Sequence, residues 1–128
     1  MLITDSYRQE QTNLHKTGKY GTASLQYGQV VSNLLDRLNS RSILDYGCGS
    51  MRNLLKVLAP QHAVQYQGYD PAIPEYNVKE PADLVVCIDV LEHIEPELLD
   101  NVLDDLRDLT RAWAYLTIHT GPAVKRLS

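Results

Sequence analysis

The sequence predicts an α/β protein in three layers (αβα), an open parallel sheet with helices on both faces. Three observations predict it. Short apolar runs alternate with stripes of helical period, the order that builds strand–helix–strand units. One run, Asp83-Leu84-Val85-Val86-Cys87-Ile88-Asp89, is apolar on successive residues, as a strand buried on both faces must be. Each of the four runs ends in a residue able to do chemistry, at the edge where such sheets bind ligands.

In chain order, residues 1–22 read as a polar, irregular N-terminal segment closing on Thr17-Gly18-Lys19-Tyr20-Gly21, and residues 23–128 as one domain. Tyr27, Val30, Val31, Leu34, Leu35 and Leu38 recur three and four apart and predict a first helix, ended by Asn39-Ser40. Ser42 to Tyr46 is the first strand, stopped by Gly47-Cys48-Gly49. Met51, Leu54, Leu55 and Leu58 give a second helix, which Pro60 terminates. Val64 to Tyr69 is the second strand and stops at Asp70-Pro71. Residues 70–82 hold Pro71, Pro74 and Pro81 with no period and read as loop. After the third strand, Glu95-Pro96-Glu97 opens a helix, since proline fits a first turn and acids its positive end. Its stripe is Leu98, Leu99, Val102, Leu103, Leu106 and Leu109. Trp113 to Ile118 forms the last strand and ends at His119-Thr120-Gly121-Pro122.

With the first strand central, right-handed crossovers give the spatial order 2-1-3-4. The direction of winding then reverses between strands one and three, and a ligand belongs outside the carboxyl ends there. Four strands leave an open edge. Trp113 to Ile118 would lie bare unless a second copy, a partner or further chain covers it.

Composition narrows the function classes. The 128 residues suit one domain on a prior of ~150 residues. Twelve Lys and Arg against sixteen Asp and Glu give a net charge of −4, which argues against an extended basic surface for nucleic acid. No apolar run approaches the ~20 residues of a bilayer span, and the start lacks a secretory signal pattern. A cytoplasmic location without membrane contact is expected. Cys48 and Cys87 match neither a CxxC pair nor a zinc set and are expected to be small buried thiols.

Gly47 and Gly49 let the turn bend sharply and let a ligand approach bare backbone. Asp70, 21 residues after Gly49, is placed to accept the two hydroxyls of a ribose. Together they point to a nucleoside. A dinucleotide fingerprint needs a further glycine where Arg52 stands, which disfavours nicotinamide cofactors. Asp89, Glu92 and His93 stand at i, i+3 and i+4 and would share a face if the chain turned helical directly after its strand. With His119 they could ligate a divalent metal; that option is weighed against His93 as a general base or acceptor contact, which is preferred. His15 and His62 read as surface, and Tyr66, Tyr69 and Trp113 as core or rim.

Leu44-Asp45-Tyr46-Gly47-Cys48-Gly49, Tyr69-Asp70 and residues 83–94, ending Val90-Leu91-Glu92-His93-Ile94, resemble class I S-adenosylmethionine-dependent methyltransferases. Residues 1–125 as a whole are most similar to small uncharacterised methyltransferase-like proteins of phages and bacteria. The resemblance implies a Rossmann-like fold, S-adenosylmethionine as cofactor, and a small-molecule or nucleotide acceptor. It implies that Asp45, Gly47 and Gly49 contact the cofactor's methionine side, that Asp70 holds its ribose, and that Asp89 lies beside the transferred methyl. Tyr20 would belong to a segment closing over the cofactor. Three departures stand out: Met51 replaces the family's third glycine, the twelve residues 71–82 are too few for the usual third strand and helix, and the sequence stops at Ser128, before the usual C-terminal strands. They motivate an alternative, a non-catalytic module that binds the cofactor or its demethylated product or serves assembly.

Overall fold

The computed structural model describes residues 23–58 and 63–118. Its elements are α1 (Ala23–Leu38), β1 (Ser42–Tyr46), α2 (Asn53–Leu58), β2 (Gln65–Tyr69), β3 (Ala82–Ile88), α3 (Leu99–Leu109) and β4 (Thr110–Thr117). Single 3₁₀ turns lie at Pro74–Tyr76, Leu91–His93 and Pro96–Leu98. The strands are all parallel and ordered β2-β1-β3-β4, as the sequence predicts.

Alternation along each strand divides the core in two. Ile43, Leu84, Val86 and Ile88 pack beneath Val31 and Leu35 of α1 and Leu54 and Leu58 of α2. Leu44, Val85 and Cys87 face the other way, under Val102, Leu106 and Leu109 of α3. Those three α3 residues are spaced four and three apart, the single apolar stripe of a helix wet on its other side. The sheet is thus the middle of three layers. Both cysteines are buried, as expected.

Two helix starts differ from the sequence reading. Asn53 begins α2, so Met51 stays in the preceding turn, 48% exposed and clear of the core. Pro96 opens a 3₁₀ turn, and α3 proper starts only at Leu99. The fourth strand starts earlier than Trp113. Thr110 swings from helix to extended backbone (φ −87°, ψ 115°) directly after Leu109, so α3 and β4 join without a loop. The Thr110 hydroxyl donates to the Leu106 carbonyl (2.7 Å), satisfying one of the acceptors a helix end leaves open.

A lysine ties the short connection after β2 to α3. The Lys79 ammonium pairs with Asp105 of α3 and lies over the Tyr69 ring, 4.8 Å from its centroid. Asp105 also accepts the Tyr46 hydroxyl (2.7 Å). These contacts join the proline-rich segment to α3 and to the rings of Tyr69 and Tyr46. At the opposite edge, β4 is mostly exposed, with Trp113 at 56% and Ile118 at 54%. Among the described residues no helix is long and apolar enough to cross a membrane.

Candidate functional site

The carboxyl end of β2 grips the turn that leaves β1. Gly47 (φ +90°) and Gly49 (φ +75°) adopt backbone that residues with a Cβ avoid. At Gly47 a Cβ would also sit 2.5 Å from Cγ2 of Val90, in the segment after β3, so the two sides of the switch point meet closely there. The amides of Gly47 and Cys48 both donate to the Tyr69 carbonyl (2.7 and 3.1 Å). The Gly49 amide donates to Oδ2 of Asp70 (3.1 Å), and Oδ1 of Asp70 accepts the Ala72 amide (3.0 Å). Asp70 is 6% exposed and has a second task beyond any ligand, joining the glycine turn to the next loop.

Asp45 lies beside Gly68 in the parallel register and is 1% exposed. The Tyr66 hydroxyl, on the same face of β2, donates to its Oδ2 (2.6 Å). Burial pushes the Asp45 carboxyl from an ordinary 3.8 up to about 7; the Tyr66 hydrogen bond opposes this and the Asp70 charge adds to it. Burial, reinforced by Asp45 and Asp70, pushes the Cys48 thiol well above its ordinary range, so it is no thiolate nucleophile. Asp45, Cys48, Gly49, Tyr66 and Asp70 therefore form one connected cluster, brought together from two strands and the turn between β1 and α2.

Asp89 belongs to a second network. Its backbone is left-handed (φ +52°), its amide donates to the carbonyl and hydroxyl oxygens of Thr117 (3.1 and 2.9 Å), and its Oδ1 accepts the Thr117 hydroxyl (2.8 Å). The shared helical face expected for Asp89, Glu92 and His93 does not form. Asp89 precedes a single 3₁₀ turn, Leu91–His93, in which three residues rather than 3.6 make a turn. Among the described residues no group of three or more His, Cys, Asp and Glu could hold a metal ion. His93 is half-buried on that turn, its amide on the Val90 carbonyl (3.0 Å). Tyr20 and His119 lie outside the described residues.

Four side chains make contacts at or beside the site that the sequence does not single out. Tyr66 packs against the core at the rim, as the sequence predicts, and its hydroxyl is in addition on Asp45; strand alternation, with Tyr66 two residues from Gly68, is the available signal. Thr117 carried no signal. In the sequence Arg52 marks only an absent glycine, and Tyr76 carries no signal. In the structure Arg52 is left-handed (φ +46°) and its guanidinium lies over the Tyr76 ring, 4.8 Å from the centroid.

The family model described as a methyltransferase domain matches residues 21–126. No curated protein matches the chain. Among solved structures, an O-methyltransferase family protein from Burkholderia thailandensis is similar over 86% of this chain and 42% of its own, with a TM-score of 0.60 and 16% identity. At that identity the likeness shows the fold, a Rossmann-like sheet flanked by helices. The chain spans less than half the length of that relative.

Proposed function

Because the chain belongs to the methyltransferase domain family, we propose that it transfers the methyl group of S-adenosylmethionine to an acceptor. The observation that carries this is the pair of buried carboxylates, Asp45 and Asp70, flanking a glycine turn at the switch point. The donor set suits a cationic nucleoside. A ribose diol suits a carboxylate acceptor, and Asp70 stands directly after β2 beside the glycine turn. Asp45 suits the amino group of the methionine moiety, whose positive charge favours its ionised form. S-adenosylmethionine, when bound, supplies a methyl group activated on a sulfonium sulfur.

The remaining work falls to positioning and to one proton. Asp89, fixed to Thr117, borders the acceptor side, and His93 takes the proton of an acceptor that must lose one. The similarity to an O-methyltransferase family protein supports a hydroxyl acceptor, the class for which a base is needed. The net charge of −4 favours a small molecule or nucleotide over a long nucleic acid, and the site reads as a cytoplasmic one. Calorimetry with S-adenosylmethionine and with S-adenosylhomocysteine is the direct test: saturable binding of either is expected, and binding of neither sinks the proposal. The exposed β4 favours a second reading, an assembly module without turnover. A chain that stays monomeric in light scattering and methylates an acceptor rules that reading out.

A further inference from the structure

We propose that two copies of this chain join through β4, antiparallel about a two-fold axis at Tyr115, so that their sheets run on as one. Such a dimer does not depend on methyl transfer. Among the described residues β4 is paired on one side only, with β3. The other side of an edge strand is a row of open donors and acceptors, which proteins ordinarily guard with charge or proline. Residues 112–118 hold neither. Trp113, Leu116 and Ile118 are instead 56%, 40% and 54% exposed.

The backbone fixes which groups face outward. The Thr117 carbonyl accepts the Asp89 amide (3.1 Å), so Thr117 aims its backbone at β3, and by alternation so do Trp113 and Tyr115. Ala114 and Leu116 aim theirs at the open edge. The register of β4 on β3 shifts between Ala82 and Leu84, which puts the irregular stretch at Arg111 and Ala112 and leaves Trp113 to Thr117 regular. A two-fold at Tyr115 pairs that whole regular stretch with itself. Ala114 of one copy and Leu116 of the other then exchange both their hydrogen bonds, small side chain against large. On the α1 face, where Tyr115 packs, Tyr115 meets its own copy and Trp113 meets Thr117. The Thr117 hydroxyl is on Asp89, so each copy sets an indole beside the other's candidate site. Arg111 falls outside the paired stretch and no like charges oppose each other, while an uncharged strand offers a charged partner nothing. These features select a second copy as the occupant. A strip about 17 Å long and about 10 Å thick covers a few hundred Å² per copy, under the ~800 Å² of a standard interface. The dimer is therefore reversible, with a dissociation constant on the order of 100 μM.

Sedimentation velocity of the whole chain from about 10 μM to about 1 mM, with melting of each variant alongside, is the test. A reversible monomer–dimer equilibrium is expected. Ala114→Pro removes an outward donor that does not serve the ladder with β3, and should raise the dissociation constant at least about tenfold while melting near wild type. Leu116→Lys, which puts a charge on the edge, should do the same and stands in if the proline variant does not fold. Oxidation locates the axis. Directly opposed residues of this kind lie about 4.5 Å apart at Cα, within disulfide reach, so Tyr115→Cys should cross-link two copies. Ala114→Cys, offset along the strand from its own copy, should not. The native cysteines are buried and do not compete. A wild type that stays monomeric throughout overturns the proposal and leaves the edge to further chain or another partner. So does a dimer that both edge variants leave intact, or one that cross-links through Ala114→Cys and not through Tyr115→Cys.

Discussion

Asp70→Ala should remove both cofactor binding and a large part of the stability of the fold. Its two oxygens accept the amides of Gly49 and Ala72 in a buried setting, and alanine leaves both donors without their acceptor. A buried donor so stranded costs about 1–3 kcal/mol, giving about 2–6 kcal/mol for the pair, out of the roughly 5–15 kcal/mol that holds a typical domain. Asp70→Asn keeps one acceptor oxygen and should fall midway. Urea denaturation of the three proteins checks this order. A residue that served the ribose alone would lose ligand affinity and unfold at the wild-type midpoint.

Asp45→Asn should do the reverse, strengthening the free protein while abolishing its affinity for the cofactor. The sign follows from where the proton sits. The Asp45 carboxyl holds its proton up to about 7 in the fold and to 3.8 ordinarily, so the folded state binds more protons between those values. Stability contributed by the neutral, buried acid is therefore complete below about pH 4 and is lost as pH rises to about 7. At 1.36 kcal/mol per pH unit the loss is about 4 kcal/mol. Asparagine offers the Tyr66 hydroxyl an acceptor and has no charge to bury. The variant should match wild type near pH 4, exceed it progressively up to pH 7, and keep a constant advantage above. Denaturation curves across that range decide the matter; an advantage independent of pH contradicts the assignment.

The parts of this architecture legible in sequence were those set by local pattern. Apolar period and turn residues gave the four strands, and handedness with the central first strand gave their order. The positions of the three acids, Asp45 one residue before the end of β1 and Asp70 and Asp89 directly after β2 and β3, follow from the same local pattern, because where a strand ends needs no knowledge of its neighbours. Pairings across strands were not legible. Tyr66 meets Asp45 across 21 residues and Thr117 meets Asp89 across 28, and both depend on a register that spacing along one chain does not carry. The shared face considered for Asp89, Glu92 and His93 depends on the same kind of information. Its i, i+3, i+4 spacing implies a face only on an α-helix, and the left-handed backbone at Asp89 followed by one 3₁₀ turn breaks that geometry. Arg52 was read for the glycine it replaces rather than for the side chain it brings.

The grip of β2 on the glycine turn also fixes how that turn behaves in time. Loops ordinarily exchange their amide hydrogens with water quickly, because opening them breaks little. Here the amides of Gly47 and Cys48 share the Tyr69 carbonyl and that of Gly49 is on a buried carboxylate, so none is released without loosening the end of a strand. In deuterium the three should exchange at the pace of β1 itself and change little when a ligand arrives. The amides of Gly47, Cys48 and Gly49, engaged by the fold itself, are therefore not lent to the phosphate oxygens that glycine turns of this kind often hold.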